Sequence, residues 1–146
     1  MIGYIQRLED LRRRAEAAEN HAGSLGDYLD RGRPSEAKAQ EAYDEMRRSR
    51  AEAEGIITEL SALLTQLRRD APGAVADWAE RHRAACQAMR ADQTPRDQDF
   101  LFTRDFVIGE TLAEWDKVLR GEQDYVRINW YFMEGYEQFW EQAANE

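Results

Sequence analysis

Apolar and small residues recur at heptad spacing in two consecutive stretches, and this spacing limits the fold of the chain more than any other feature. The first stretch covers residues 4 to 29, and the second covers residues 39 to 67. Such a repeat is typical of long amphipathic helices that pack along a seam. The first set is Tyr4, Leu8, Leu11, Ala15, Ala18, Ala22, Leu25 and Leu29, and the second is Ala39, Ala42, Met46, Ser49, Ala53, Ile56, Leu60, Leu63 and Leu67.

The two predicted helices are separated by a short break. Residues 31 to 34 include Gly32 and Pro34, and Ser35 is a suitable N-cap for the second helix. Because so short a connection cannot return the chain to the same end, the helices should run antiparallel. We therefore expect residues 1 to 70 to form a long, coiled-coil-like helical hairpin.

Three shorter helices are predicted after the hairpin. Pro72 should end the second helix, and a third should run over about residues 74 to 90. Thr94 as N-cap, Pro95 at the first helical position and Asp97 at the third predict the start of a fourth helix, which Gly121 ends. A fifth is expected over residues 124 to 142. The sequence thus predicts a single all-α domain, residues 1 to 146, in which residues 71 to 146 pack on the hairpin.

The first residues of the chain, its apolar content and its single cysteine indicate the cellular compartment in which it is expected. The first ten residues lack an apolar run of signal-peptide length, and no window approaches a membrane span of about 18 apolar residues. Cys86 is the only cysteine, so neither an internal disulfide nor a cysteine-based metal cluster is expected. We predict a cytoplasmic protein without membrane contact, in which Cys86 is a small buried hydrophobe.

Residues for catalysis or for cofactor and metal binding are scarce. The chain has only two histidines, His21 and His82, and neither belongs to a spacing that is typical of metal sites. Acid pairs such as Glu110 with Glu114 share a helix face, but this spacing is common on exposed helices and is uninformative without a pocket. We therefore predict a non-enzymatic protein with no cofactor, no metal and no catalytic residue.

Aromatic and acidic residues are concentrated in the last third of the chain. Residues 95 to 146 hold 11 of the 15 aromatic side chains, with 12 acidic and 5 basic residues, a net charge of −7 out of −9. Most of these aromatic residues should fill the core beside the Ala-rich hairpin. The acidic surface favours a basic protein partner, and the chain would serve as an adaptor or as an inhibitor, for example of a nucleic-acid-handling protein.

Trp130 is the aromatic residue that does not fit the core. On a helical wheel of the fifth helix it lies nearly opposite Phe132, among acidic residues, and Phe106 similarly lies off the apolar stripe of the fourth helix. Trp130 would either anchor a partner or contact another element of the chain. The predicted partner-binding residues are Trp130, Glu134, Glu137, Glu141 and Phe106.

Two arginine triplets on the hairpin suggest a second kind of surface. Folding at residues 32 to 33 is expected to bring them to the same level, where they would hold nucleic acid or another anion. The chain would then be a small helical subunit of a nucleoprotein assembly. Pairing with nearby glutamates, which gives a solvated face, is the alternative. Self-assembly of the acidic end with this patch is a third possibility. The patch consists of Arg12, Arg13, Arg14, Arg47, Arg48 and Arg50.

Overall fold

The computed structural model describes residues 2 to 95 and 97 to 145, and it is a bundle of five α-helices. These are α1 (Ile2–Arg31), α2 (Glu36–Asp70), α3 (Pro72–Ala91), α4 (Gln98–Leu119) and α5 (Tyr136–Asn145). Residues 2 to 95 and 97 to 145 contain no β-strand. The predicted all-helical bundle is confirmed. None of the helices in this part of the chain combines the length and the apolar character needed to cross a membrane.

Helices α1 and α2 lie side by side and run in opposite directions. Arg7 near the start of α1 contacts Glu59 near the end of α2 at 3.2 Å, and His21 further along α1 contacts Glu45 at 2.9 Å. The residue number of the contact on α2 falls as the residue number on α1 rises, which is the pattern of an antiparallel pair. The turn between them ends at Ser35, whose hydroxyl accepts the N–H of Lys38 at 3.3 Å as an N-cap.

Most of the seam that the heptads predict is buried. Tyr4 is an exception, because it is exposed while its neighbour Ile5 is buried, and Leu64 is more deeply buried than Leu63. Helix α3 contacts both α1 and α2, so the core extends beyond the two-helix seam to a third helix. The buried seam positions are Leu8, Leu11, Ala15, Ala18, Ala22, Ala42, Met46, Ser49, Ala53, Ile56, Leu60 and Leu67.

The starts of α3 and α4 differ from the predicted ones. Pro72 is the first residue of α3, and the single residue Ala71 separates it from the end of α2 at Asp70. Asp97, not Thr94, is the N-cap of α4, and its carboxylate accepts two backbone N–H groups of the first turn. Thr94 is held instead by Asp92, which accepts both its backbone N–H and its hydroxyl proton at 3.0 and 2.5 Å. Arg96, inside the predicted start, lies outside the described residues.

Only the last seven residues of the predicted fifth helix, 136 to 142, are helical. Residues 122 to 135 are irregular, and α5 begins at Tyr136. We call residues 122 to 135 the strap. In its first half the backbone bonds to side chains of α1: the Ile128 N–H donates to Glu16 at 2.6 Å, and Arg12 donates to the Val126 carbonyl oxygen at 3.3 Å. Bonds of this kind replace the internal ones that a helix would need.

The two ends of the strap are fixed in different ways. At its beginning, Arg68 of α2 donates to the carboxylate of Asp124 at 2.6 Å and to the Gln123 carbonyl oxygen at 3.1 Å. Further on, the Asn129 side chain accepts two backbone N–H groups, each at 3.0 Å, in a tight turn. Gly135 then adopts φ +85°, a left-handed conformation that interrupts the helix just before α5.

Candidate functional site

A group of polar residues is enclosed in the middle of the bundle. Glu9 is 4% exposed and Arg12 is 3% exposed, although both belong to charged stretches of α1, and His82 of α3 is completely buried. Tyr136 at the start of α5 and Trp78 of α3 complete the group, which we call the polar core. Buried ionic groups are costly unless they are paired and hydrogen-bonded. The contacts of each member therefore decide what the polar core does.

Glu9 is the acceptor at the centre of the polar core. Its carboxylate lies 2.5 Å from His82 Nε2, and it accepts hydrogen bonds from Arg12 Nη2 at 2.8 Å, from Arg13 Nε at 3.0 Å and from Trp78 Nε1 at 3.1 Å. Burial by itself raises the pKa of Glu9, but the hydrogen bonds from His82 and Arg12 and the charge of Arg12 outweigh it and hold the pKa well below its usual range. Glu9 is therefore ionised.

His82 is held as a neutral ring between two indoles. Its centroid lies 4.0 Å from that of Trp115 and 4.1 Å from that of Trp140. Complete burial lowers the pKa of His82 to about 4, more than the Glu9 carboxylate raises it. Because ionised Glu9 can only accept, Nε2 of His82 carries the proton, and Nδ1 accepts the hydroxyl proton of Tyr136 at 2.6 Å.

The polar core joins three helices but is closed to solutes. Cys86 lies at its far side, with its sulfur 3.8 Å from the Tyr136 oxygen, and burial raises the pKa of its thiol to about 11. Neither Cys86 nor His82 has any exposed surface. In this conformation a substrate cannot reach either group, so the chemistry that the polar core supports is the precise positioning of α1, α3 and α5.

The polar core was not predicted from the sequence, although one signal of it was present. His82 stands four residues after Trp78 and four before Cys86, so all three lie on one face of α3. That spacing places the imidazole on the same helix face as Cys86, which was expected to be buried. Glu9 gave no such signal, because it lies next to Leu8 on a charged helix surface that resembles any solvated flank.

A second candidate site is on the surface, centred on Trp130 of the strap. The Trp130 side chain is 64% exposed, and it lines three separate hollows with volumes of about 380, 430 and 260 Å³. The first lies between α4 and the strap, the second between α1 and the strap, and the third above Arg12 and Tyr136 of the polar core. We call Trp130 and these three hollows the Trp130 surface.

The other predicted partner-binding residues are distributed around this surface. Glu134 and Glu137 line the third hollow together with Trp130, and Glu137 forms an ion pair with Arg13 at 2.7 Å. Phe106 is 65% exposed on α4, beside a residue that lines the first hollow, but it lines none of the three hollows itself. Glu141 is exposed on α5, also outside them.

Most aromatic residues of the last third are not core residues, contrary to the expectation. Only three of the eleven are buried, four are half-buried and four are exposed. Phe102 and Tyr131 were not singled out from the sequence, yet both are exposed, and Tyr131 packs edge-on against Trp130 with ring centroids 5.8 Å apart. The buried ones are Trp115, Tyr136 and Trp140, and the exposed ones are Phe102, Phe106, Trp130 and Tyr131.

The two arginine triplets do not form one surface at a common level. Arg12 is buried in the polar core, where it is bonded to Glu9, so the expectation that it belongs to a surface patch is wrong. Arg13 is committed to Glu9 and Glu137. The contacts between α1 and α2 place residues 12 to 14 opposite residues 52 to 54, so residues 47 to 50 lie about one turn away.

The remaining arginines of the predicted patch are exposed on the two helices. Arg14 lies 4.0 Å from Asp10 of the preceding turn. Arg47 contacts Asp44 at 2.8 Å and lies over the ring of Tyr43. Arg48 and Arg50 are exposed on α2. Local pairing of this kind is what the alternative interpretation, a solvated face, described.

Neither a metal site in the described residues nor a similar known protein indicates a function for this chain. No group of three or more His, Cys, Asp and Glu side chains is arranged to hold a metal ion in the part of the chain that the structure describes. Comparison with family models, with curated proteins and with solved structures found no significant match for this chain.

Proposed function

We propose that the chain is a non-enzymatic interaction module that binds a basic protein through the Trp130 surface. One observation carries the proposal: a tryptophan that is 64% exposed stands where three hollows meet. An indole in that position is costly to leave in water, and tryptophan is among the side chains that contribute most to protein interfaces. The hollows give a partner's side chains places to fill beside it.

The charge around Trp130 supports a basic partner. Six acidic residues line the hollows on its different sides: Glu110 and Glu114 from α4, Glu16 and Asp27 from α1, Glu134 from the strap and Glu137 from α5. Carboxylates at the rim of an aromatic contact steer a basic partner toward it and disfavour acidic ones. The net charge of the last third, −7, acts in the same direction over a longer range.

The strap is held rigidly enough to present its tryptophan. On one side of Trp130, Arg127 donates to Asn20 of α1 at 2.7 Å, and Asn129 closes the turn that follows. The polar core lies directly beneath, because Arg12 bonds the strap carbonyl of Val126 and also bonds Glu9. A contact surface that is already ordered loses less conformational entropy when a partner binds.

Affinity capture from the native cell extract tests this proposal, with the wild type compared with Trp130→Ala and with Tyr43→Ala. Tyr43 is an exposed aromatic residue on the outer face of α2 and serves as the matched control. We expect a basic protein to be retained by the wild type and by Tyr43→Ala, lost with Trp130→Ala, and released by salt. Equal retention by all three forms would refute the proposal.

A more specific form of this proposal is that the chain inhibits a nucleic-acid-handling protein. Carboxylates fixed on helices, such as Glu110 and Glu114, can occupy a groove that is built for phosphates. An oligonucleotide should then compete with this chain for the captured protein. If the complex is indifferent to the oligonucleotide, the chain acts as an adaptor that binds elsewhere on its partner.

A further inference from the structure

We propose that the hollow between α4 and the strap binds the guanidinium group of a single arginine side chain from the partner. This inference rests on the proposed function, because it identifies which group of a basic protein enters the Trp130 surface. We call this hollow the α4–strap hollow. Its volume is about 380 Å³, and it is lined by Val107, Glu110, Thr111, Glu114, Arg127, Asn129 and Trp130.

Helix α4 supplies one wall of the α4–strap hollow. Its lining residues are spaced by three and four, as residues on one helix face must be. Glu110 and Glu114 therefore project from successive turns toward the same space. Their spacing alone carried no information, because such pairs are common on exposed helices. The hollow is what distinguishes this pair.

Among the residues that the structure describes, neither Glu110 nor Glu114 forms an ion pair. Gln123 donates to Glu114 from its side-chain amide at 2.9 Å, which orients that carboxylate without cancelling its charge. Two like charges one helical turn apart repel each other, so a cation placed between them is favoured.

Arg127 is a basic residue that lines the α4–strap hollow, but its hydrogen bond is made elsewhere. It lines the α4–strap hollow, yet its Nη2 atom donates to Asn20 of α1 at 2.7 Å. It therefore forms the boundary between this hollow and the one on the α1 side, which it also lines. Because Asn20 is neutral, Arg127 keeps its charge, and the charged side chains that line the hollow, Glu110, Glu114 and Arg127, sum to −1, which favours the entry of one further cation.

Trp130 supplies the opposite wall and favours arginine over lysine. A guanidinium group is planar and weakly hydrated, so it can stack on an indole face while its N–H groups bond to carboxylates at its edge. The ammonium group of lysine is strongly hydrated and has no flat face to stack. An aromatic wall facing two carboxylates thus combines the contacts that arginine makes best.

Direct binding of short peptides tests the inference. The probes are capped hexa-arginine, hexa-lysine and hexa-citrulline, with affinity measured by calorimetry. Acrylamide quenching of tryptophan fluorescence then reports on Trp130, because Trp78, Trp115 and Trp140 are buried. We expect hexa-arginine to bind, to shield Trp130 from acrylamide and to bind about tenfold more tightly than hexa-lysine. Citrulline keeps the shape of arginine but not its charge, and hexa-citrulline should not bind.

A pair of charge-matched double variants locates the site. Glu110→Gln with Glu114→Gln removes two charges from the α4–strap hollow, and Glu52→Gln with Glu54→Gln removes two from the exposed face of α2. The first should weaken hexa-arginine binding about tenfold and abolish the preference over hexa-lysine, whereas the second should change affinity less than about twofold. Circular dichroism confirms that each variant is folded.

The possible results separate this inference from the proposed function. Equal affinity for the arginine and lysine peptides, or equal weakening by the two double variants, would overturn the arginine site. If Trp130→Ala still abolishes capture of the cellular partner in that case, the Trp130 surface remains the docking site and only its ligand has been misassigned. Retention of the partner by Trp130→Ala would refute the proposed function itself.

Discussion

His82 Nε2 lies 2.5 Å from Glu9 Oε1, although 73 positions separate the two residues in the sequence. This contact ties α3 to α1, and the Tyr136 hydroxyl on the other side of the imidazole extends it to α5. Because Glu9 also accepts from Arg12, which bonds the strap, the polar core and the surface that carries Trp130 belong to one network. The stability of the fold and the presentation of the surface should therefore be coupled.

Removing the charge of Glu9 should destabilise the protein strongly. Glu9→Gln keeps the shape of the side chain but leaves Arg12 buried with Glu16 as its one charged partner among the described residues. Loss of one member of a buried pair costs about 3 kcal/mol. Urea unfolding followed by circular dichroism measures this loss as a lower free energy of unfolding.

The exposed ion pair between Arg7 and Glu59 is the control for that measurement. It also joins two helices, at 3.2 Å, but its side chains are largely solvated. Glu59→Gln should cost less than about 1 kcal/mol. A Glu9→Gln protein that is as stable as Glu59→Gln would show that the polar core does not hold the helices together.

The stability of the protein should fall when the pH is lowered from 7 to 5. The pKa of His82 is depressed from 6.5 to about 4 in the folded state, so the unfolded chain binds a proton in this range that the folded protein does not. The loss should reach about 2 kcal/mol by pH 5. Protonation of Glu9 lowers the stability further only below about pH 4.5, which is its pKa in the unfolded chain, because its pKa in the folded protein is lower still.

Two histidine variants test whether His82 causes this loss of stability between pH 7 and pH 5. His82→Gln cannot titrate at position 82, so its free energy of unfolding should change little between pH 7 and pH 5, whatever its absolute stability. His21→Gln, altered at an exposed site on α1, should keep the wild-type slope. If His82→Gln retains the full slope, another group is responsible.

Cys86 should be unreactive toward thiol reagents while the protein is folded. Its side chain is completely buried, and burial raises the pKa of the thiol to about 11, so little thiolate is present and little of it is accessible. A disulfide reagent should label it only as fast as the protein opens, and rapidly in urea. As a positive control, Ala17→Cys places a thiol on the exposed face of α1 and should react at once. Immediate labelling of Cys86 in the native protein would contradict the burial of the polar core.

Alanine at Gly135 should destabilise the protein through the backbone alone. Gly135 has φ +85°, and a Cβ there would contact nothing within 4 Å, so the cost, about 1 kcal/mol, comes from the left-handed conformation. Gly55→Ala in α2, where a Cβ is also free of contacts, should stabilise the protein by a similar amount. Thermal unfolding measures the change in stability of each variant. A change of the same sign in both variants would contradict the left-handed conformation of Gly135 in the turn before α5.

The parts of the fold that local spacing determines were predictable, and those that distant contacts determine were not. Heptads predicted α1 and α2 because periodicity is a property of neighbouring residues. The strap escaped prediction because the bond that replaces its helical hydrogen bonding runs from Ile128 to Glu16, 112 positions away. Tyr125, Ile128 and Phe132 have helical spacing, but the bonds offered by α1 override it.

The candidate site was predictable only in part, for the same reason. Trp130 was expected to lie outside the core, either at a partner contact or against another element, because it lay opposite an apolar face on a helical wheel. It is exposed, but it lies in an irregular segment, to which a helical wheel does not apply. Arg12 was placed in a surface patch because its neighbours are arginines. Its burial depends on Glu9 and on the strap carbonyl of Val126, and only the tertiary structure brings those two together.

Photo-crosslinking in the native cell tests most directly whether the Trp130 surface is a docking site. A photoreactive phenylalanine analogue is placed at position 130 in one form of the protein and at position 43, on the exposed face of α2, in another. We predict that irradiation links position 130 to a basic protein in one discrete adduct and that position 43 gives none. No adduct from position 130, or the same adduct from both positions, would contradict the assignment of this surface.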